Sequence, residues 1–350
     1  VNAEIRRQKS PEVVQVGDVT GPNSFEISQG ALDRIGLPNS GAVLNEIGGI
    51  ANSVYAYNAG GTSALDENEN NEKLFAKLDW NINQDHKLTL RHSYVGARND
   101  EGLSRSSNSF DLCSRLYEFE SVQNSSVAQL NSTFSDNIFN EARLVFTRIV
   151  DERVPASPFP GVELNLGEET VNLGVGRFNQ ANRLEQNLVE FTNDLTYTLG
   201  DHTLSAGLQF NVYDFENLFI QDYYGSYTFS SFTVDGETVS AVDAFRRGQP
   251  TEYQYSYATD RADSEKPVAA FTTYQGGLYA QDEWHPLEDL RLTMGLRVDA
   301  PFIPQAPTKN PTALKELGVN TSKVSSGNVL WSPRFGFNYG LNLMGDDLET

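Results

Sequence analysis

Leu74-Phe75-Ala76-Lys77-Leu78-Asp79-Trp80-Asn81-Ile82 alternates in polarity, with Leu74, Ala76, Leu78, Trp80 and Ile82 on even positions and Phe75, Lys77, Asp79 and Asn81 on odd ones. Successive side chains of a β-strand point to opposite faces, so the pattern predicts a strand with one oily and one mostly wet face. Asn83-Gln84-Asp85-His86 then supplies a short turn, after which Leu88, Leu90, His92 and Tyr94 oppose Lys87, Thr89, Arg91 and Ser93. The two segments predict an antiparallel hairpin.

The pattern recurs on both sides of this hairpin. A first strand is expected from Asn2 to Gln8, and another ends near Phe134, with Ser126, Ala128, Leu130, Ser132 and Phe134 on one face. Beyond a turn around Ser135 to Asn140, Ala142, Leu144 and Phe146 oppose Glu141, Arg143, Val145 and Thr147. Val189, Phe191, Leu195, Tyr197 and Leu199 oppose Glu190, Thr192, Asp194, Thr196 and Thr198. The chain reverses at Gly200-Asp201, a pair suited to a tight hairpin turn, and returns with Leu204, Ala206, Leu208, Phe210 and Val212 against Thr203, Ser205, Gly207, Gln209 and Asn211. A strand running to Trp284 reverses through His285 to Asp289 and continues from Leu290 to Val298. Phe335, Phe337, Tyr339 and Leu341 form the last oily stripe, which brings the expected count to about ten strands.

The connectors alternate as well. Long ones follow the first strand, cover Gly96 to Arg115, carry Pro155, Pro158 and Pro160, extend from Phe215 to about Pro267, and precede Phe335, whereas every connector between them is short. Crossing an apolar band of about 25 Å at a tilt near 40° takes roughly ten residues. The fold class expected is therefore all-β: an antiparallel transmembrane β-barrel with long extracellular loops and short periplasmic turns. Short helices are expected near Gln29 to Ile35 and after Ser240, Gly60-Gly61-Thr62-Ser63 reads as a flexible loop, and the acidic run Asp66 to Glu72 as a solvated one.

Composition agrees. The 350 residues include 20 Phe and 15 Tyr, the rings that barrels place at water–lipid borders. No run of about eighteen apolar residues occurs, so insertion by a helix is excluded. A net charge of −21 argues against nucleic acid as a partner, because phosphate binding needs clustered Lys and Arg. One cysteine, Cys113, and four scattered histidines give neither a disulfide nor metal-ligand spacing. No phosphate loop, nucleophile elbow or zinc-protease motif is present, so no catalytic, cofactor or metal residue is assigned and no enzyme is expected.

Candidate contact residues follow from parity. Lys77, Asp79, Arg91, Arg143, Glu190, Asp194 and Arg297 share the wet face and are expected to line a lumen. Arg246 and Arg247, with Tyr223 and Tyr224 in the same long connector, are loop candidates for ligand contact, although the favoured reading of the arginines is the charged end of a short helix. Arg148, Asn193 and Asp282 fall on the oily face; Arg148 is expected to snorkel at the rim, and the other two would need a bulge to turn them away.

Asn71 to Ile82 with His86 to Arg91 resembles the barrel of Oar-like TonB-dependent receptors, a likeness shared by Leu278 to Trp284, Gly295 to Asp299 and Trp331 to Phe337. The resemblance implies an outer-membrane protein of a bacterium in which 22 strands enclose a plug. It further implies energy-coupled import of a solute it does not identify, with outer-membrane lipid and a TonB-type energy-transducing protein as partners. Neither plug nor N-terminal box is seen, and the sequence stops at Leu348-Glu349-Thr350, so residues 1–350 are expected to be a part of the barrel domain. A passive porin or adhesion barrel, a soluble secreted carbohydrate-binding β-protein and a closed ten-stranded barrel enzyme are the competing readings.

Overall fold

The computed structural model describes residues 2–11, 15–16, 24–63, 66–258 and 266–340. Ten strands form one antiparallel sheet in chain order: β1 (Asn2–Pro11), β2 (Asp66–Asn81), β3 (His86–Glu101), β4 (Tyr117–Ser135), β5 (Ile138–Pro155), β6 (Asn182–Leu199), β7 (His202–Phe219), β8 (Ala269–Leu287), β9 (Leu290–Phe302) and β10 (Leu330–Tyr339). Each pairs with its sequence neighbour, and among the described residues β1 and β10 do not pair with each other. The expected strands are all present, and every long connector leaves from the same end. The reading of the chain's last residues, from Leu341 on, lies outside the described residues.

The strands are longer than the bilayer requires. β2 to β8 run for 16 to 19 residues, and the excess lies at the long-loop end. The acidic run expected as a solvated loop is the start of β2, with Glu72 opposite Ile5 and Glu69 opposite Gln8. Likewise β3 continues to Glu101 rather than ending at Gly96, and β7 to Phe219. Above the lipid neither face has to be apolar, so the alternation fades while the backbone ladder, which does not depend on side chains, continues.

The sheet's two faces invert the arrangement of a soluble protein. Trp80, Leu144, Phe146, Leu208 and Leu278 stand exposed, Leu278 at 63%, whereas Thr89, Thr192 and Asn211 on the opposite face are buried, Asn211 at 4%. A continuous exposed apolar surface of this kind belongs against lipid.

Dry packing occurs instead among the long connectors, which fold together into a cap. Phe25, Leu44, Ile47, Phe110, Leu112, Leu164, Leu173 and Phe245 are its centre. Three helices contribute: α1 (Gln29–Ile35) and α3 (Ala241–Arg246), both expected, and α2 (Ser40–Tyr55), which was not. Asn39 caps α2 by accepting from the Ala42 N–H at 2.9 Å, and its buried residues Val43, Leu44, Ile47, Ile50 and Ala51 follow helical spacing. Gly48-Gly49 within it depresses helix propensity and hides it in a Gly/Asn/Ser-rich connector. A further helix, α4 (Pro311–Leu317), lies in the last loop.

A five-stranded sheet crosses the cap in the order Glu252–Gln254, Ser226–Ser230, Gly161–Asn165, Thr170–Leu173, Ser109–Asp111. Gly60-Gly61, expected to be loose, is packed against the 3-10 turn Cys113–Arg115 that follows the sheet's last strand: a Cβ on Gly60 would stand 2.8 Å from that of Cys113, and Cys113 N–H donates to the Gly61 carbonyl at 3.1 Å. Backbone crossing at that range requires glycine.

Candidate functional site

The polar face of the ten-stranded sheet carries a hydrogen-bonded belt. Asp79 accepts from Thr89 at 2.7 Å and lies 2.9 Å from Lys77 and 3.4 Å from Lys87. Arg91 donates to Gln129 at 3.3 Å, and Gln129 to Glu141 at 2.9 Å. Farther along, Arg143 reaches Glu190 at 3.5 Å, Gln209 donates to Glu190 at 3.3 Å, and Arg297 donates to Gln209 at 3.0 Å and Asp299 at 2.7 Å. Tyr279 donates its hydroxyl to Asp194 at 2.5 Å. The seven residues selected by parity thus fall into four hydrogen-bonded or ion-paired groups, completed by Thr89, Gln129, Glu141, Gln209, Tyr279 and Asp299, which parity placed on the face without singling out. Each half-exposed ion pair is worth only about 0–1 kcal/mol, so the belt's chemical meaning is its surface, a wall rich in donors and acceptors.

The three misfits are resolved on the outer face. Arg148 pairs with Glu185 at 2.8 Å, and Arg183 holds the same carboxylate at 2.7 Å, toward the long-loop end. Asn193 and Asn140 exchange two side-chain hydrogen bonds at 3.1 Å. Asp282 meets His202 Nδ1 at 2.8 Å, and the His202 ring stacks on Trp284. No bulge turns Asn193 or Asp282; the ladder is regular through both, and its shifts occur at Thr133/Ser135 and Trp284/Leu287. Cross-strand partners replace part of the water these polar groups lose, and Asp282 Oδ1 stays buried without a partner among the described residues.

In the cap, one row of side chains crosses all five strands of its sheet: Glu252 opposite Thr228, Thr228 opposite Glu163, Glu163 opposite Asn172, Asn172 opposite Asp111. The other face, with Val162, Leu164, Val171, Leu173, Phe110 and Phe229, packs into the dry centre. Over the polar face a cavity of about 270 Å³ is lined by Glu163, Asn172, Ser226, Thr228, Glu252 and Gln254 together with Arg115 and Arg177. Arg177 is anchored to the buried Asp222 at 2.7 Å. Arg115 has only Asp111, at 3.8 Å, and no hydrogen bond to its guanidinium among the described residues. Burial pushes the Asp111 carboxyl above the usual carboxylate range, against the opposing pull of Arg115.

The loop candidates are placed differently. Arg246 pairs with Glu46 of α2 at 2.7 Å and with Asp243, and Arg247 is the exposed C-cap of α3. Tyr223 and Tyr224 meet edge to face, with the Lys266 ammonium 4.8 Å above Tyr223. The residues around the cavity were not selected from sequence. A signal was there: Gly161-Val162-Glu163-Leu164-Asn165 and Thr170-Val171-Asn172-Leu173 alternate as strictly as the long strands, in segments too short to stand out within loops.

An exposed apolar outer face, a polar inner wall and a one-sided cap define an outer-membrane β-barrel domain. The outer membrane beta barrel domain family matches residues 22–347, and the chain belongs to that family. Its fold is similar to the outer membrane transporter YddB from Escherichia coli (12% identity, TM-score 0.49, covering 79% of this chain and 30% of that one). It is also similar to the ferripyoverdine receptor of Pseudomonas aeruginosa (15%, TM-score 0.46, 79% and 34%) and the siderophore receptor PirA from Acinetobacter baumannii (11%, TM-score 0.43, 79% and 32%). The chain therefore spans about a third of the length of these structures. No curated protein matches it.

Proposed function

We propose that the chain is part of the barrel domain of an Oar-like TonB-dependent receptor that takes up a scarce solute across the outer membrane. The observation that carries this reading is the cap: a folded body with its own dry core at the long-loop end of a sheet whose inner face is polar from β2 to β9. Connectors this long are usually functional, and a packed cap suits capture and admission better than the open mouth of a passive porin. Two further points support the reading. The stretches Asn71 to Ile82, Leu278 to Trp284 and Trp331 to Phe337 resemble that family, and a ten-stranded sheet whose edges β1 and β10 are unshared among the described residues is costly in lipid, which fits a larger, plugged barrel of 22 strands.

In this reading Lys77, Asp79, Arg91, Arg143, Glu190, Asp194 and Arg297 line the solute's path, and Tyr223, Tyr224, Arg246 and Arg247 belong to the capturing loops. Energy comes from a TonB-type protein in the inner membrane, acting on parts of the receptor other than these strands.

The test compares what cells remove from their medium. Mass spectrometry of spent medium from wild-type cells, cells lacking this protein and cells lacking the energy transducer should show one class of solute left behind by both mutants. Planar bilayers holding the intact protein should show no steady conductance. Steady ion flow, or depletion indifferent to the transducer, refutes the receptor reading in favour of a porin.

A further inference from the structure

The geometry points to a binding site for a small zwitterionic peptide, a dipeptide with free termini, in the cap cavity between Arg115 and the carboxylates of Glu163 and Glu252. This names a ligand class for the receptor and so rests on the reading above.

Arg115 is the starting point. Its side chain is mostly buried, at 24% exposure, it borders the cavity, and none of its donors has a hydrogen-bond partner among the described residues. A guanidinium held in this way is under-satisfied, and the partner it suits best is a planar oxyanion that accepts two parallel bonds. Asp111 does not serve: it stands 3.8 Å away, and its oxygens already accept from the Ser104 N–H at 2.9 Å and the Asn172 amide at 2.9 Å. Arg177, fixed by Asp222, adds a second positive charge on the same lining.

The remainder of the lining selects among anions. Glu163 sits at the centre of the cross-strand row, exposed, with no side-chain partner among the described residues, and Glu252 stands at the row's end, exposed. Two carboxylates repel a phosphate dianion, whereas they attract an ammonium group. Positive groups and negative groups in one cavity of about 270 Å³ match a molecule carrying both charges. Asn172, Ser226, Thr228 and Gln254 complete the lining with neutral hydrogen-bonding groups suited to a peptide amide. The segments that form the site come from three long connectors, so it exists only when the cap is folded, and Arg115 lies two residues before β4, at the junction of cap and barrel.

Titration calorimetry of the intact detergent-solubilised protein with Ala-Ala, with N-acetyl-Ala-Ala-amide and with inorganic phosphate tests the site. Ala-Ala should bind, and the doubly blocked peptide at least about tenfold more weakly, because a charge-assisted bond is lost at each end. Arg115→Gln should weaken Ala-Ala about tenfold or more. Glu163→Gln removes no contact of the fold, so it should weaken Ala-Ala while leaving phosphate equal or tighter. Equal binding of the blocked peptide, tighter binding of phosphate than of Ala-Ala in the wild type, or no binding of Ala-Ala overturns the proposal. Uptake of labelled Ala-Ala by cells separates the two readings: import without binding at this cavity refutes the site alone, and binding without transducer-dependent import refutes the transport reading alone.

Discussion

Tyr279 of β8 lies across Gly207 of β7, and the space that glycine leaves is what lets the ring reach Asp194 on β6. A Cβ added to Gly207 would stand 2.7 Å from the Tyr279 Cζ and 2.5 Å from Asp194 Oδ1. Gly277 plays the same part for Arg297, whose Nη2 would meet an added Cβ at 2.6 Å. Two glycines on the polar face thus make room for the two long side chains that bridge strands, and the belt passes over them.

Gly207→Ala and Gly277→Ala are expected to destabilise the folded sheet by about 1–3 kcal/mol each, the usual cost of overpacking. Gly276 faces open space, and Gly276→Ala should be neutral. The temperature at which the protein loses its folded electrophoretic mobility measures all three. Equal behaviour of the three variants would show that the ring does not need the gap.

The two faces make opposite predictions for charge. Leu278→Arg places a cation among exposed apolar residues and should cost about 2–4 kcal/mol if the residue lies near the bilayer midplane, with reduced assembly into the outer membrane. Ser205→Lys, on the polar face, should change stability by about 0.5 kcal/mol or less. Assembly yields in the reverse order would exchange lipid and lumen.

The cap has a separate core, so it should be separable in stability. Phe245 stacks with Tyr55 at 4.9 Å and meets Phe229 edge to face at 5.1 Å, and Phe245→Ala should cost the cap about 3–5 kcal/mol. Protease added to intact cells is expected to cut the loop between β7 and β8 faster in this variant, while the thermal transition of the strands stays in place. A common loss of both would show that cap and sheet fold as one unit.

Asp111 gives the cap a pH dependence. Its folded pKa is raised by burial, so between the ordinary carboxylate value and the raised one the folded cap binds more protons than the unfolded chain. Stability should therefore fall as pH rises through that window, with the cost absent below the ordinary value and fully present above the raised one. Protease resistance of the cap should increase on acidification into this window, and Asp111→Asn should flatten the profile. An unchanged profile in Asp111→Asn would assign the dependence to another group.

Strand number, direction and which side chains share a face were legible in residues such as Leu204 to Val212, because in lipid each side chain's polarity is set by the face it occupies and by little else. The same rule explains the errors at Asp66 to Glu72 and Gly96 to Glu101: above the bilayer both faces are wet, and pairing leaves no trace in hydropathy. Asn193 and Asp282 looked misplaced because their partners, Asn140 and His202, are 53 and 80 residues away in the chain.

Pattern along the chain was enough for the barrel sheet, the face of each side chain and the end from which the long loops leave, since a period-two stripe records a local choice between oil and water. That those loops form one body, and that Arg115, Glu163, Asn172 and Glu252 meet around a single cavity, was settled by packing in three dimensions. Their contacts join segments from three different connectors, and a contact between distant segments is fixed by the packing of Phe25, Phe110, Leu164 and Phe245 in the shared core, not by any pattern along the chain.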